Sequence, residues 1–180
     1  MDRQPVLEGE RLLLRPLEEA DWEALFAVAS NPRIWEVHPC NDRWQEPVFR
    51  AFFEDALAKG GALAVTDKAT GEAIGSSRFQ GFDPDKSLVE IGWSFLARPR
   101  WGQGYNAEMK RLMLAHALRF VERVTFRVGE DNILSRRAMT KIGGILTDRV
   151  EMVEYRGQKL PHVIYEITRE SFARGPLSKT

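Results

Sequence analysis

Leu88-Val-Glu-Ile-Gly-Trp-Ser-Phe-Leu96, the turn Trp101-Gly102-Gln103-Gly104-Tyr105-Asn106, and the run Ala107-Glu-Met-Lys-Arg-Leu-Met-Leu-Ala-His-Ala-Leu-Arg-Phe120 together decide the architecture of this chain. The first run alternates apolar and polar residues and predicts a strand, while the third carries the apolar stripe of a helix. Between them, a glycine-bearing turn opens the helix. It presents several unpaired backbone N–H groups at the positive end of the helix dipole, a ready seat for a phosphate or pyrophosphate. Taken alone, such a turn is also an ordinary way to reverse a chain.

The chain has 180 residues, enough for one domain with a real core. Hydrophobic residues make up 43% and charged residues 29%, a usual globular mixture. Lys plus Arg number 26, as do Asp plus Glu, so the formal net charge is zero. The basic excess of a nucleic-acid binder is missing, and no nucleic-acid partner is expected. A local basic patch stays open, because Arg98, Arg100, Arg136, Arg137 and Lys141 flank the anion-binding turn. One cysteine, Cys40, excludes an internal disulfide and a multi-cysteine metal site, and no metal is expected. No stretch reads as a signal peptide or approaches the ~20 apolar residues of a membrane span, so a cytoplasmic protein without a membrane partner is expected.

Outward from the turn, Arg11–Arg15 predicts a strand ended by Pro16, and Trp22–Ser30 a helix stopped at Asn31-Pro32. Residues 34–44 are irregular. A helix over Glu46–Lys59 closes at Gly60-Gly61, and strands follow over Ala62–Thr66 and Ala73–Phe82. Beyond the long helix come a strand over Arg123–Val128, a helix over Ser135–Ile142, and strands over Ile145–Glu154 and Val163–Thr168. Residues 1–172 form the expected domain and 173–180 a loose tail. The helix linking strand Leu88–Leu96 to strand Arg123–Val128 implies a parallel pair, with antiparallel hairpins on either side.

Three segments in this order resemble the GNAT superfamily of acyl-CoA-dependent N-acyltransferases: Leu7–Trp22, the turn Trp101–Asn106, and Asp131-Asn-Ile-Leu-Ser-Arg-Arg-Ala-Met-Thr-Lys-Ile-Gly143. Within it they look most like the ribosomal-protein N-terminal acetyltransferases of the RimJ/RimL type. The resemblance spans Leu7 to Ile167. It implies a mixed α/β fold with a mostly antiparallel sheet of about six to seven strands, about four helices, and a central parallel pair that splays to admit the cofactor. It also implies acetyl-CoA as donor, coenzyme A as product, and a primary amine as acceptor, either a protein N-terminus or a small molecule.

By the same resemblance, Arg100, Trp101, Gly102, Gln103, Gly104, Tyr105 and Asn106 cradle coenzyme A, and the backbone of Phe95 and Leu96 pairs with its pantetheine arm. Asn106 departs from the family's Gly or Ala, but backbone N–H groups, not side chains, make those contacts. Asn132 matches the family's asparagine beside the acyl group. Many relatives carry a Tyr seven residues later as the acid for the departing thiolate. Here that position is Met139, and in the RimJ/RimL-like branch a serine at the Ser135 position is the suggested substitute. Ser135 also reads as a helix N-cap, and both readings stay open.

A general base is needed because only a neutral amine attacks a thioester. An α-amine, with a pKa of about 7.7–8.0, needs far less help at neutral pH than a lysine near about 10.4. Glu90 is the candidate, on the strand leading into the turn. Alternation places it opposite Val89, Ile91 and Trp93. Glu151 and Glu154 are weaker candidates, and Pro161-His162 stands where many relatives have an acidic residue. Trp35, His38 and Trp44, from the irregular 34–44 segment, are the expected acceptor-side walls, with plain packing as the competing reading. In the long helix, Tyr105, Met109, Leu112, Met113, His116 and Phe120 share one face and read as core. Cys40 has no surrounding motif and is not read as a nucleophile. The alternative function is a non-catalytic acyl-CoA-binding or regulatory module; either a monomer or a homodimer fits.

Overall fold

The computed structural model describes residues 1–179. A single sheet carries the strands β1 (Leu7–Glu8), β2 (Leu12–Pro16), β3 (Ala62–Asp67), β4 (Ala73–Asp83), β5 (Leu88–Leu96), β6 (Arg123–Gly129), β7 (Ile145–Tyr155) and β8 (Gln158–Thr168). Their spatial order is β1-β2-β3-β4-β5-β6-β8-β7. The helices are α1 (Trp22–Ala29), α2 (Glu46–Lys59), α3 (Tyr105–Ala117), α4 (Ile133–Lys141) and α5 (Arg169–Arg174). The count exceeds the expected strands and helices because β1 is two residues long and α5 six, both too short to carry a period. Part of the expected tail is ordered. Leu177, in a short 3-10 turn, is buried in the main core, and a side chain at Gly143 would collide with Pro176.

The sheet is covered on both sides. One core joins Val89, Ile91 and Val124 of the central strands to Met109, Leu112 and Met113 of α3 and Met139 of α4. A smaller core under α1 and α2 joins Leu25, Phe49 and Phe53 to Trp35 and Phe95. Each of those large apolar side chains contributes about 1.5–3 kcal/mol through burial.

Only β5 and β6 run parallel, and they pair over just three positions, Leu88 with Arg123, Val89 with Val124 and Glu90 with Thr125. Beyond Glu90 the two strands part. β5 carries a bulge at this level. Gly92 faces Arg78 and Phe95 faces Ser76, which leaves Trp93 and Ser94 opposite Ser77 alone. Trp93 takes φ +52°, a conformation costing on the order of 1 kcal/mol or more for a bulky residue.

The bulge reverses the alternation, so Ile91 enters the α3-side core while Phe95 enters the α1/α2-side core. Simple alternation therefore fails for Trp93. Its ring lies under Arg78 at 4.9 Å and near Arg127 at 5.8 Å, and Arg127 also meets Glu90, so Trp93 and Glu90 share a side.

The sheet edge and α3 are locked by one buried carboxylate. Glu108 accepts hydrogen bonds from the backbone of Arg11 (2.8 Å) and Leu12 (3.1 Å) and from Arg11 Nε (3.0 Å). A Cβ at Gly9 would lie 2.4 Å from Glu108 Oε1, so a side chain there would push this carboxylate out of its clamp. Arg11 also donates through Nη1 to the Gln103 carbonyl at 2.8 Å, which ties the glycine turn to the same clamp.

Candidate active site

The turn before α3 is built as its sequence suggests. Gly102 and Gly104 hold φ +75° and +84°, open to glycine and strained for other residues. Gly104 is the N-cap of α3 and supplies no side-chain cap. The consequence is a run of six backbone N–H groups, Gly102 to Ala107, with no intramolecular acceptor among the described residues. They sit at a helix N-terminus just past the end of β5, on the open side of the gap that begins beyond Glu90, and a pyrophosphate fits that donor set.

The side chains around this turn serve to hold it. Arg100 pairs with Asp67 at 2.8 Å and lies over the Tyr105 ring, so its charge is already engaged. Trp101 donates from its indole nitrogen to the Leu96 carbonyl at 2.9 Å and fastens the turn to the end of β5. Gln103 donates to the Pro99 carbonyl at 2.8 Å, and Asn106 leaves its backbone N–H free.

Across the gap, Asn132 rather than Ser135 caps α4. Its buried Oδ1 accepts from the Ser135 N–H at 3.2 Å. Ser135 is half-buried, and its hydroxyl has no partner among the described residues. Met139 is buried in the core. Of the expected basic patch, Arg136 is engaged with the Tyr165 hydroxyl (3.3 Å) and the Glu130 carbonyl (3.0 Å).

Glu90 stands at the apex of the split, in the last paired position of the parallel strands. It lines a cavity of about 140 Å³ with Thr125, Arg127 and Glu151. Arg127 lies 3.4 Å from both Glu90 and Glu151. Burial pushes the Glu90 carboxyl above its ordinary range; Arg127 opposes this and Glu151 adds to it. A carboxylate with a raised pKa is suited to collect a proton. Glu154 is exposed and pairs only in register with Lys159, outside this cavity.

The 34–44 segment divides. Trp35 is buried, donates to the Ala29 carbonyl at 2.8 Å, and meets His38 edge-on at 5.5 Å. His38 accepts from the Cys40 N–H through Nδ1 at 2.9 Å, so its own proton resides on Nε2. Burial, then Arg43 and His162, lower its pKa to about 3 and keep it neutral. The Cys40 thiol is pushed up by burial, as unsuited to a nucleophile as its lack of a motif suggests. Trp44, by contrast, is 40% exposed and lines a separate open groove with Arg33 and Glu36.

Two features of this side lie outside what the sequence signals. Asp42 is held by the Tyr155 hydroxyl and by Arg156, each at 2.5 Å, so the β7–β8 turn is strapped across the 34–44 segment. Pro39 seats on Gly129 at the free end of β6, where a Cβ would lie 2.3 Å from its ring. No short-range pattern encodes contacts ninety or more residues apart.

No helix among the described residues is long and apolar enough to cross a membrane, and no cluster of three or more His, Cys, Asp or Glu among them would hold a metal. The sequence pattern of the family described as acetyltransferase (GNAT) domain matches residues 11–145. YoaA of Bacillus subtilis (strain 168), an N-acetyltransferase of uncharacterized activity, is 24% identical over 148 residues, covering 77% of this chain and 82% of that protein. The fold is similar to a GCN5-related N-acetyltransferase from Brucella melitensis (TM-score 0.80, 19% identity, 94% of this chain and 80% of that one). It is similar too to Mycobacterium smegmatis RimJ, solved with CoA-disulfide (TM-score 0.72, 18% identity, 93% of this chain and 86% of that one). The matched span runs from the clamp at Arg11 through the glycine turn to the start of β7, so the chain belongs to the GNAT acetyltransferase family.

Proposed function

We propose that this protein transfers an acetyl group from acetyl-CoA to a primary amine, a protein N-terminus or a small molecule, by direct attack on the thioester. The observation that carries the reading is the run of six free backbone N–H groups, Gly102 to Ala107, at the mouth of the parted strands β5 and β6. These amides would hold the pyrophosphate, the backbone of Phe95 and Leu96, whose carbonyl at Leu96 is shared with the Trp101 indole, would pair with the pantetheine arm, and Asn132 would meet the arm near its reactive end. RimJ of Mycobacterium smegmatis, with its bound CoA-disulfide, supports a coenzyme A site in this fold.

Bound acetyl-CoA supplies an activated acyl carbon. Glu90 takes the amine proton through a water, as its raised pKa favours. A backbone N–H of the Phe95–Leu96 stretch polarises the carbonyl. Ser135 or a water returns a proton to the sulfur. The acceptor enters from the side of Trp35, His38 and Trp44, and a RimJ/RimL-like preference for peptide N-termini, in a cytoplasmic monomer or homodimer, is the finer form of the reading.

Thermal unfolding with acetyl-CoA, CoA, ATP and NAD tests the donor. At a hundredfold over its Kd a ligand adds about 2.7 kcal/mol. A rise with acetyl-CoA and CoA alone is expected, and no rise with either would overturn the reading. Thiol release with N-terminal peptides against small amines then separates the two acceptor classes. Tight donor binding with no turnover on any amine would identify the non-catalytic module instead.

A further inference from the structure

Lys110 is a buried cation for which neither the fold nor the mechanism above has a use. It lies mid-way along α3 with 2% of its surface exposed, and it pairs with no carboxylate among the described residues. Its Nζ donates to Ser94 Oγ at 2.5 Å and reaches Ser77 Oγ at 3.4 Å. The two hydroxyls are 2.7 Å apart. On the other side, Nζ lies 5.7 Å from the centre of the Phe126 ring.

These neighbours define a place in the fold. Ser94 belongs to the β5 bulge, and Phe126 is the first residue of β6 beyond the last parallel pair. Lys110 therefore bridges the floor of the gap between the parted strands. The groups facing it are Ser77 from β4, Ser94 from β5 and Phe126 from β6. Burial alone lowers its pKa, to about 7, with no charged neighbour contributing. An unpaired ammonium in such a place costs stability. With its pKa at about 7 the amine is only partly protonated at neutral pH, and a negative charge arriving beside it draws it to the ammonium form.

We propose that Ser94 is a catalytic hydrogen-bond donor to the departing sulfur, with Lys110 as the positioning residue that holds and polarises it. The assignment rests on the acyl-CoA reading above. Ser94 Oγ–H donates to the sulfur as the carbon–sulfur bond yields its electron pair to that atom, and Lys110 Nζ donates to Ser94 Oγ. The proton that completes the thiol comes from Ser135 or water, while the amine's proton leaves through Glu90. Lys110 and Ser94 lose no proton in the cycle; they hold charge until it is neutralised.

The test is the pKa of the CoA thiol in the complex, read from thiolate absorbance against desulfo-CoA, with no acceptor present. For the wild-type protein, the bound thiol is expected at least one pH unit below the value measured for free CoA under the same conditions. In Lys110→Met and in Ser94→Ala it should return toward that value, while desulfo-CoA affinity stays unchanged and turnover falls tenfold or more. Lys110→Met fills the same space without burying a charge, and Ser94→Ala leaves the lysine in place, so the two variants check each other. An unperturbed thiol in the wild type, or one equally perturbed in both variants, overturns the assignment alone. Failure of the wild type to bind either CoA or desulfo-CoA overturns the donor reading and this assignment together.

Discussion

The two sides of the parted strands are built on opposite plans. On the side proposed for the donor, contiguous residues 102–107 leave their backbone N–H groups without an acceptor among the described residues, and side chains such as Arg100, Trp101 and Arg11 only brace the turn. On the acceptor side, side chains from distant segments are consumed by one another, as in Asp42 with Tyr155 and Arg156. A donor common to a family is met by backbone, which any sequence supplies. An acceptor peculiar to one protein is met by side chains, which each sequence chooses. The two sides should therefore fail separately.

The largest expected separation comes from Glu90→Gln, which removes the proposed proton acceptor at the apex. It should lower kcat/KM for the amine by roughly 10²- to 10³-fold and leave acetyl-CoA affinity unchanged in calorimetry. The wild type should lose activity on acidification as Glu90 gains its proton, at a pH above the ordinary carboxylate range because its pKa is raised. The variant should not show that limb. An equal loss of donor affinity in Glu90→Gln would erase the distinction between the sides.

The reverse pattern is expected of Gly104→Val. A β-branched residue at φ +84° costs about 1–3 kcal/mol, and its Cβ would lie 3.2 Å from Arg11. Acetyl-CoA should bind roughly tenfold to a hundredfold more weakly, in a thermal-shift titration, with the acceptor side intact.

The next effect is on stability and belongs to the acceptor side. His38 is held neutral in the folded protein, with its pKa lowered to about 3, while the unfolded chain takes up a proton near 6.5. Its contribution is complete above pH 6.5 and is lost as pH falls toward 3. Between pH 6.5 and 5 this amounts to at most about 2 kcal/mol. Urea unfolding of His38→Gln should show a shallower acid slope than the wild type.

Smallest is Tyr155→Phe, which removes one hydrogen bond of the strap. A cost of about 1 kcal/mol or less is expected, with KM for the amine raised and donor affinity unchanged. A fall in donor affinity would mean that the strap supports both sides.

What was legible follows the same division. The turn, the strand before it and helix Glu46–Lys59 stand where their local patterns place them, because glycine geometry and apolar period act over a few residues. The bulge did not show, since it is a mismatch in count between Trp93-Ser94 and Ser77 on another strand. It moved Trp93 to the side of Glu90. In α3 the periodic reading placed His116 and Phe120 in the core, yet Phe120 is 47% exposed and Glu108 and Lys110 are buried. Helical period ranks residues by polarity, and these two charges are buried against specific partners that the period cannot see. Ser135 read as an N-cap, but Asn132 starts the helix earlier and takes that role. Trp35, His38 and Trp44 read as one wall, and the fold sends Trp35 to a core and Trp44 to an outer groove.

The free amides of residues 102–107 also make the turn its own isotope label. In the unliganded protein these hydrogens have no internal acceptor among the described residues and should exchange with deuterated solvent at nearly open-chain rates, while those of the neighbouring strands exchange slowly. Any anion that settles there must stop that exchange residue by residue. Occupancy, orientation and residence at the turn are thus written in its deuterium uptake, before any chemistry is run.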